Sequence, residues 1–189
     1  VAEKPVKADP VVFWGKEVDG LQAGLSLVET TTEAAGDTTR LKVKLEVQVR
    51  NVGTTSATIT YGSPWERSPT ITDAAGKEVP VRHSDFWIAP ILLPSNRVIE
   101  PGQTYSLSHP EVILEVDAKH PLPNNTERTV RIRPGAYTIS YGWVADSHEE
   151  LATGNLPFKV MDPETLKAAL PDKVAWGKEV GGLQAGLVL

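Results

Sequence analysis

An all-β fold, two antiparallel sheets packed face to face, is what this sequence predicts, and three observations carry the prediction. Residues 41–50 alternate without a break: Leu41, Val43, Leu45, Val47 and Val49 fall on one face, Lys42, Lys44, Glu46, Gln48 and Arg50 on the other. Short runs of the same kind recur along the chain between Gly- and Pro-containing turns. Fifteen Gly and fifteen Pro in 189 residues exceed the usual share of turn formers. Two sheets that are each apolar on one face must cover one another, which gives a sandwich.

The elements follow in order. Leu21, Ala23, Leu25 and Leu27 alternate with Gln22, Gly24 and Ser26, predicting a strand buried on one face. After residues 41–50, Asn51-Val52-Gly53 signals a turn. Ala57, Ile59 and Tyr61 then alternate with Ser56, Thr58 and Thr60, and this strand is expected to pair with the preceding one. Thr70–Thr72, a turn at Asp73–Gly76 and Glu78–Arg82 read as a small hairpin. Val98–Glu100, the turn Pro101-Gly102, and Thr104–Ser108 follow, with Tyr105 and Leu107 on a shared face. Val112–Val116 is a short apolar run suited to a buried strand, and His120–Asn125 is a loop. Val130 and Ile132 point inward with Arg131 and Arg133 outward; past Pro134-Gly135, Tyr137, Ile139 and Tyr141 alternate with Thr138 and Ser140. Leu156–Val160 is the last strand of the sandwich. Asp162-Pro163 then places an N-cap and a first-turn proline ahead of a two-turn helix that ends before Pro171.

Composition excludes several classes of function. A formal net charge of −5 gives no general footprint for a polyanion, so no nucleic-acid partner is expected. With no Cys, disulfides, thiol redox motifs and thiolate zinc sites are ruled out. No apolar run approaches the ~20 residues of a membrane helix, so membrane insertion by this segment is not expected. The length suits one domain with additions.

The most informative feature is a duplication. Residues 14–27 read WGKEVDGLQAGLSL and residues 176–189 read WGKEVGGLQAGLVL; twelve of fourteen positions agree, 162 residues apart. The exceptions are Asp19/Gly181 and Ser26/Val188. The resulting division is a linker at 1–10, a sandwich at 11–161, a helical connector at 162–173 and a second opening strand at 174–189. Two readings stand: one full unit of a tandem array with the first strand of the next, or a chain whose second copy has its own task. Trp14 and Trp176 are expected to plug the end or the core of a domain.

The WGKEV-x-GLQAGL opening, LEVQVRNVGTTSATI, VIEPGQTYSLS and IRPGAYTISYG together resemble immunoglobulin-like β-sandwich repeats of bacterial proteins, planctomycete proteins in particular. These are similar in layout to fibronectin-like and CARDB-like accessory domains of surface and exported proteins. The resemblance covers most of residues 11–160 and implies an immunoglobulin-like sandwich in an exported protein, with residues 63–95 as an inserted loop segment. It supplies no catalytic residues.

Candidate chemistry is sparse. His83-Ser84-Asp85 holds the residue types of a hydrolase triad, but a triad converges from separate elements and no G-x-S-x-G elbow accompanies it. His83, His109, His120 and His148 show no ligand-helix spacing, and Asp146–Glu150 lacks the spacing of a calcium loop. No catalytic residue, metal site or cofactor is therefore assigned, and the chain is read as no enzyme. Trp65, Phe86, Trp87 and Trp143 are the candidate binding residues for a glycan or protein ligand, with a capping cluster as the plainer reading. The assembly strand comprises Trp176, Val180, Leu183, Ala185, Leu187 and Leu189, which would fit the slot of residues 14–27 in a neighbouring molecule. Burying its leucines contributes about 1.5–3 kcal/mol each before ordering costs. Two functions follow: a non-catalytic structural or interaction repeat assembling head-to-tail by strand exchange, or a ligand-sensing accessory domain attached to an enzyme or signalling protein.

Overall fold

The computed structural model describes residues 10–35, 38–61, 69–79, 95–116, 129–143 and 151–168. Their elements run β1 (Val12–Trp14), β2 (Leu21–Ala35), β3 (Thr38–Asn51), β4 (Ala57–Tyr61), β5 (Thr70–Asp73), β6 (Ser95–Ile99) and β7 (Thr104–Ser108). There follow β8 (Glu111–Val116), β9 (Thr129–Ile132), β10 (Gly135–Ser140), β11 (Gly142–Trp143), β12 (Leu151–Ala152), β13 (Leu156–Val160) and α1 (Pro163–Ala168). The fold is an all-β sandwich. Its main sheet has the order β1-β2-β3-β8-β9, with β7 beside β8 on the same edge of β3. A second sheet runs β13-β10-β5, and two-stranded sheets pair β4 with β6 and β11 with β12. The β8–β9 ladder is parallel, while all the other ladders are antiparallel.

One apolar core joins the sheets. Leu25, Leu45, Val47 and Val49 from the main sheet meet Ile71, Ile139, Leu156 and Val160 from the second in a single buried cluster. The alternation in 41–50 is obeyed: its five apolar residues are buried and its polar partners lie outside. Two outer-face lysines engage β2, Lys44 reaching Glu29 at 2.7 Å and Lys42 reaching Glu33 at 2.6 Å. The Glu29 hydrogen bond and charge raise the Lys44 pKa. Near His109, Glu46 lies 3.6 Å from Nε2.

Strand β2 is longer than its apolar pattern suggests. Residues Glu29–Ala35 carry no hydrophobic alternation, yet they zip against β3 as far as Ala35↔Thr38 after a register shift between Leu27 and Glu29. A bulge there turns Thr30 inward opposite Val43.

The expected pairing of the 41–50 strand with Ala57–Tyr61 is corrected. Strand β3 pairs with β2, β7 and β8, and β4 pairs with β6. The cause lies at Asn51, which is buried. Its Nδ2 donates to the carbonyls of Thr55 (2.8 Å) and Ile99 (2.7 Å), and its Oδ1 accepts from Gly53 N–H at 2.9 Å. The side chain thus folds residues 52–55 into an Asx-type turn and delivers the chain to another sheet, where a tight hairpin would have kept it in the same one. The Asn51 backbone adds bonds to Gln103 O and from Gly102 N. Gly102, at φ 77, follows Pro101 in a type II turn between β6 and β7.

The small hairpin after β5 is present through Val79. The Asp73 carboxylate accepts from Ala75 N and Lys77 N, Gly76 adopts φ 80, and Val79 N bonds Ile71 O. Helix α1 starts where the sequence places it. Asp162 Oδ1 accepts from Thr165 N at 2.9 Å, and Leu166 is buried in the core cluster.

Two outcomes follow. Asn51→Ala strands the Thr55 and Ile99 carbonyls and is expected to cost about 2–3 kcal/mol in urea unfolding. Hydrogen bonds from the Thr165 hydroxyl and amide hold the Asp162 carboxyl below its ordinary value. A depressed folded pKa means the cap's contribution is present above the unfolded value and lost as pH falls through the folded one. An NMR titration of Asp162 should therefore show a midpoint below the ordinary aspartate range, with the Thr165 amide shifting alongside it.

Candidate functional site

The first copy of the repeat builds a hairpin latched on both faces. Val18 and Leu21 exchange backbone bonds, Val18 N to Leu21 O at 2.8 Å and Leu21 N to Val18 O at 2.9 Å. Asp19 and Gly20 between them adopt φ 51 and φ 80. Two positive φ values in a two-residue loop define a type I′ turn, for which Asp-Gly and Gly-Gly are both suitable. The turn sends β2 back along β1, with Val12↔Ser26, Phe13↔Leu25 and Trp14↔Gly24 in register.

Register decides what faces where. Phe13 lies opposite the buried Leu25 and packs against the core. Trp14 falls on the other face, opposite Gly24. A Cβ on Gly24 would come within 2.7 Å of the Trp14 ring and 2.6 Å of the Val12 side chain, so the glycine makes the ring's seat. On the ring's exposed side the Arg50 guanidinium stacks 4.1 Å from the centroid. Arg50 donates through two nitrogens to Gln22 Oε1, at 2.9 and 2.7 Å, and Gln22 Nε2 donates to Gly15 O at 3.2 Å. Trp14, Gly15, Gln22, Gly24 and Arg50 therefore form one outer-face lock. Of the two places expected for Trp14, the core is corrected: the register puts Phe13 against the core and Trp14 on the outer face.

The other edge of β1 is closed by residues 152–154. Gly154 N donates to Phe13 O at 3.0 Å. A Cβ on Gly15 would stand 1.9 Å from Ala152 O, and one on Gly154 would stand 2.7 Å from the Phe13 carbonyl carbon. Two glycines thus let two backbones touch. Thr153 fastens the same segment, its hydroxyl accepting from Tyr141 N and its own N–H bonding Tyr141 O. Burial raises the Tyr141 pKa.

Of the residues predicted to carry function, Trp65, Phe86, Trp87, Trp176, Val180, Leu183, Ala185, Leu187 and Leu189 lie outside the described residues, as do His83-Ser84-Asp85 and Asp146–Glu150. Trp143 sits in β11 at a position paired with Leu151. Among the described residues no group of three His, Asp or Glu is placed to hold a metal, and no helix is long and apolar enough to cross a membrane. Sequence reasoning missed Gln22, Arg50 and Gly154. The signal for the first was available, since Gln22 and Gly24 recur as Gln184 and Gly186 although neither faces the core.

No protein family matches the chain, and no curated protein matches it. Among solved structures it is similar to a Northeast Structural Genomics Consortium target determined by X-ray crystallography. The TM-score is 0.38 at 18% identity, over 77% of this chain and 89% of that one.

Gly24→Ala tests the lock. The added methyl must push the indole off its seat, and a loss of about 1–3 kcal/mol in thermal unfolding is expected, with loss of the Trp14–Arg50 ring-current shift by NMR.

Proposed function

We propose that the chain is a non-catalytic structural and interaction repeat of a larger exported bacterial protein, whose units share one latched opening hairpin. The observation that carries this reading is the coincidence of repeat and geometry. Trp176, Gly177, Val180, Gly182, Leu183, Gln184, Ala185, Gly186 and Leu187 repeat the residue types that in the first copy supply the ring, the close backbone contact, the turn flank, the positive-φ glycine, the core face, the amide bridge and the ring's seat. Both exceptions are compatible with the first copy's site. Position 19 needs a positive φ, which Gly181 supplies more readily than Asp. Position 26 is fully buried, and the Ser26 Oγ has no hydrogen-bond partner among the described residues, so Val188 is the better-suited residue there.

The second copy thus carries the donor half of a joint whose receiving half is Arg50, the β3 edge and Gly154. Presented by one molecule to another, it gives head-to-tail strand exchange. Light scattering on a sizing column should show concentration-dependent association of the full chain. The double variant Leu183→Asp/Leu187→Asp should abolish it, because both side chains belong to the face that must be buried. A full chain that stays monomeric to millimolar concentration removes the assembly part of the reading.

A further inference from the structure

We infer that Phe13 is the residue by which the slot discriminates its resident hairpin from the second copy. The inference rests on the assembly reading above and adds a selectivity to it. Twelve positions of the two copies are identical, so their contacts cancel when the copies compete for one slot. Only the differences decide the outcome. Within the fourteen residues these are Asp19/Gly181 and Ser26/Val188, and both favour the second copy, the first at the positive-φ turn position and the second at the buried hydroxyl. The strand β1 begins two residues earlier, at Val12. Val174 matches Val12, but Ala175 stands where the first copy has Phe13.

That change lies on the face that matters. Phe13 is opposite Leu25, which is fully buried, and packs against the core cluster. Its carbonyl also accepts the Gly154 bond that closes the outer edge of β1. An alanine there keeps the backbone bond and loses the ring. For a half-buried Phe this is worth roughly tenfold to a hundredfold in occupancy. Relief of the orphan Ser26 hydroxyl returns roughly tenfold to the second copy. The side-chain differences nearly offset, and covalent continuity with the rest of β2 then holds the resident in place, since its effective concentration is that of a tethered partner. Position 13/175 is the place where one side chain shifts this balance.

Two variants test it from opposite sides. Ala175→Phe strengthens the competitor without touching any described residue of the sandwich, and Phe13→Ala weakens the resident. Each is expected to raise the association constant read by light scattering by roughly tenfold or more, and the pair together by close to the product. Adding Leu183→Asp/Leu187→Asp to Ala175→Phe should return the chain to monomer, which assigns the association to the second copy. If Phe13→Ala unfolds the sandwich, Ala175→Phe alone still decides. Wild-type association that depends on Leu183 and Leu187 but does not respond to Ala175→Phe overturns the discrimination by Phe13 and leaves the assembly reading standing. Wild type and Ala175→Phe both monomeric at millimolar concentration overturn both.

Discussion

A buried carboxamide at the end of β3 sets the course of the chain on both sides of the sandwich. An amide out of water must have its donors and its acceptor satisfied, and desolvation makes each failure expensive. Asn51 meets that demand with the Thr55 and Ile99 carbonyls and the Gly53 amide. The solution fixes three things at once: the turn after β3, the end of β6, and through the backbone bonds to Gly102 and Gln103 the start of β7. Strand β7 can then lie on β3 while β4 and β6 pair apart from it. A residue of similar size but no amide would leave the apolar pattern of β3 unchanged and remove the reason for the crossing.

The hairpin at the other end of the sheet obeys a steric rule. Cores tolerate exchange of apolar residues of similar volume, but a ring seated on a strand requires the residue beneath it to have no Cβ. Gly24 supplies that seat, Gly15 and Gly154 supply a backbone contact beside it, and Arg50 closes it from above. The outer face of the sheet consequently differs along its length. Near the turn it carries a packed aromatic lock. Beyond the bulge it carries the pairs Lys44–Glu29 and Lys42–Glu33, a type of exposed contact that contributes little. Specific geometry is concentrated in the duplicated segment.

How much of this was legible follows from which residues speak for themselves. Strands such as 41–50 and Leu156–Val160 were readable because alternation is a local property. Helix α1 was readable because Asp162-Pro163 is a local start signal. The turn at Pro101-Gly102 was equally local. Pairing was not: Asn51-Val52-Gly53 reads as a hairpin turn until the amide is seen to bond Ile99, 48 residues away. The polar half of β2 was hidden because Thr30 turns inward without being apolar, and β1 because three residues carry no period. The site was half legible. The repeat marked its residues, but Arg50 and Gly154 lie outside the repeat, and nothing in a linear sequence ties them to Trp14.

The duplicated segment holds more than the pattern of an amphipathic strand. If only an amphipathic strand were repeated, agreement at the leucines would suffice, and Gln184, Gly186 and Gly177 would be free to differ. They do not differ. Each has a first-copy counterpart that acts through tertiary contact: Gln22 to Arg50, Gly24 to the Trp14 ring, Gly15 to the Ala152 backbone. What recurs in the sequence is therefore the set of residue types that in the first copy meets β3 and residues 152–154. Agreement at this many positions, on both faces and at the turn, is what the proposed assembly requires of a segment that meets a receiver of the same shape. In the proposed function that receiver is a further unit of the same design or the slot of another copy. The inner-face ring of Phe13, present in one copy and replaced by Ala175 in the other, is the physical difference to which the proposed selectivity is assigned.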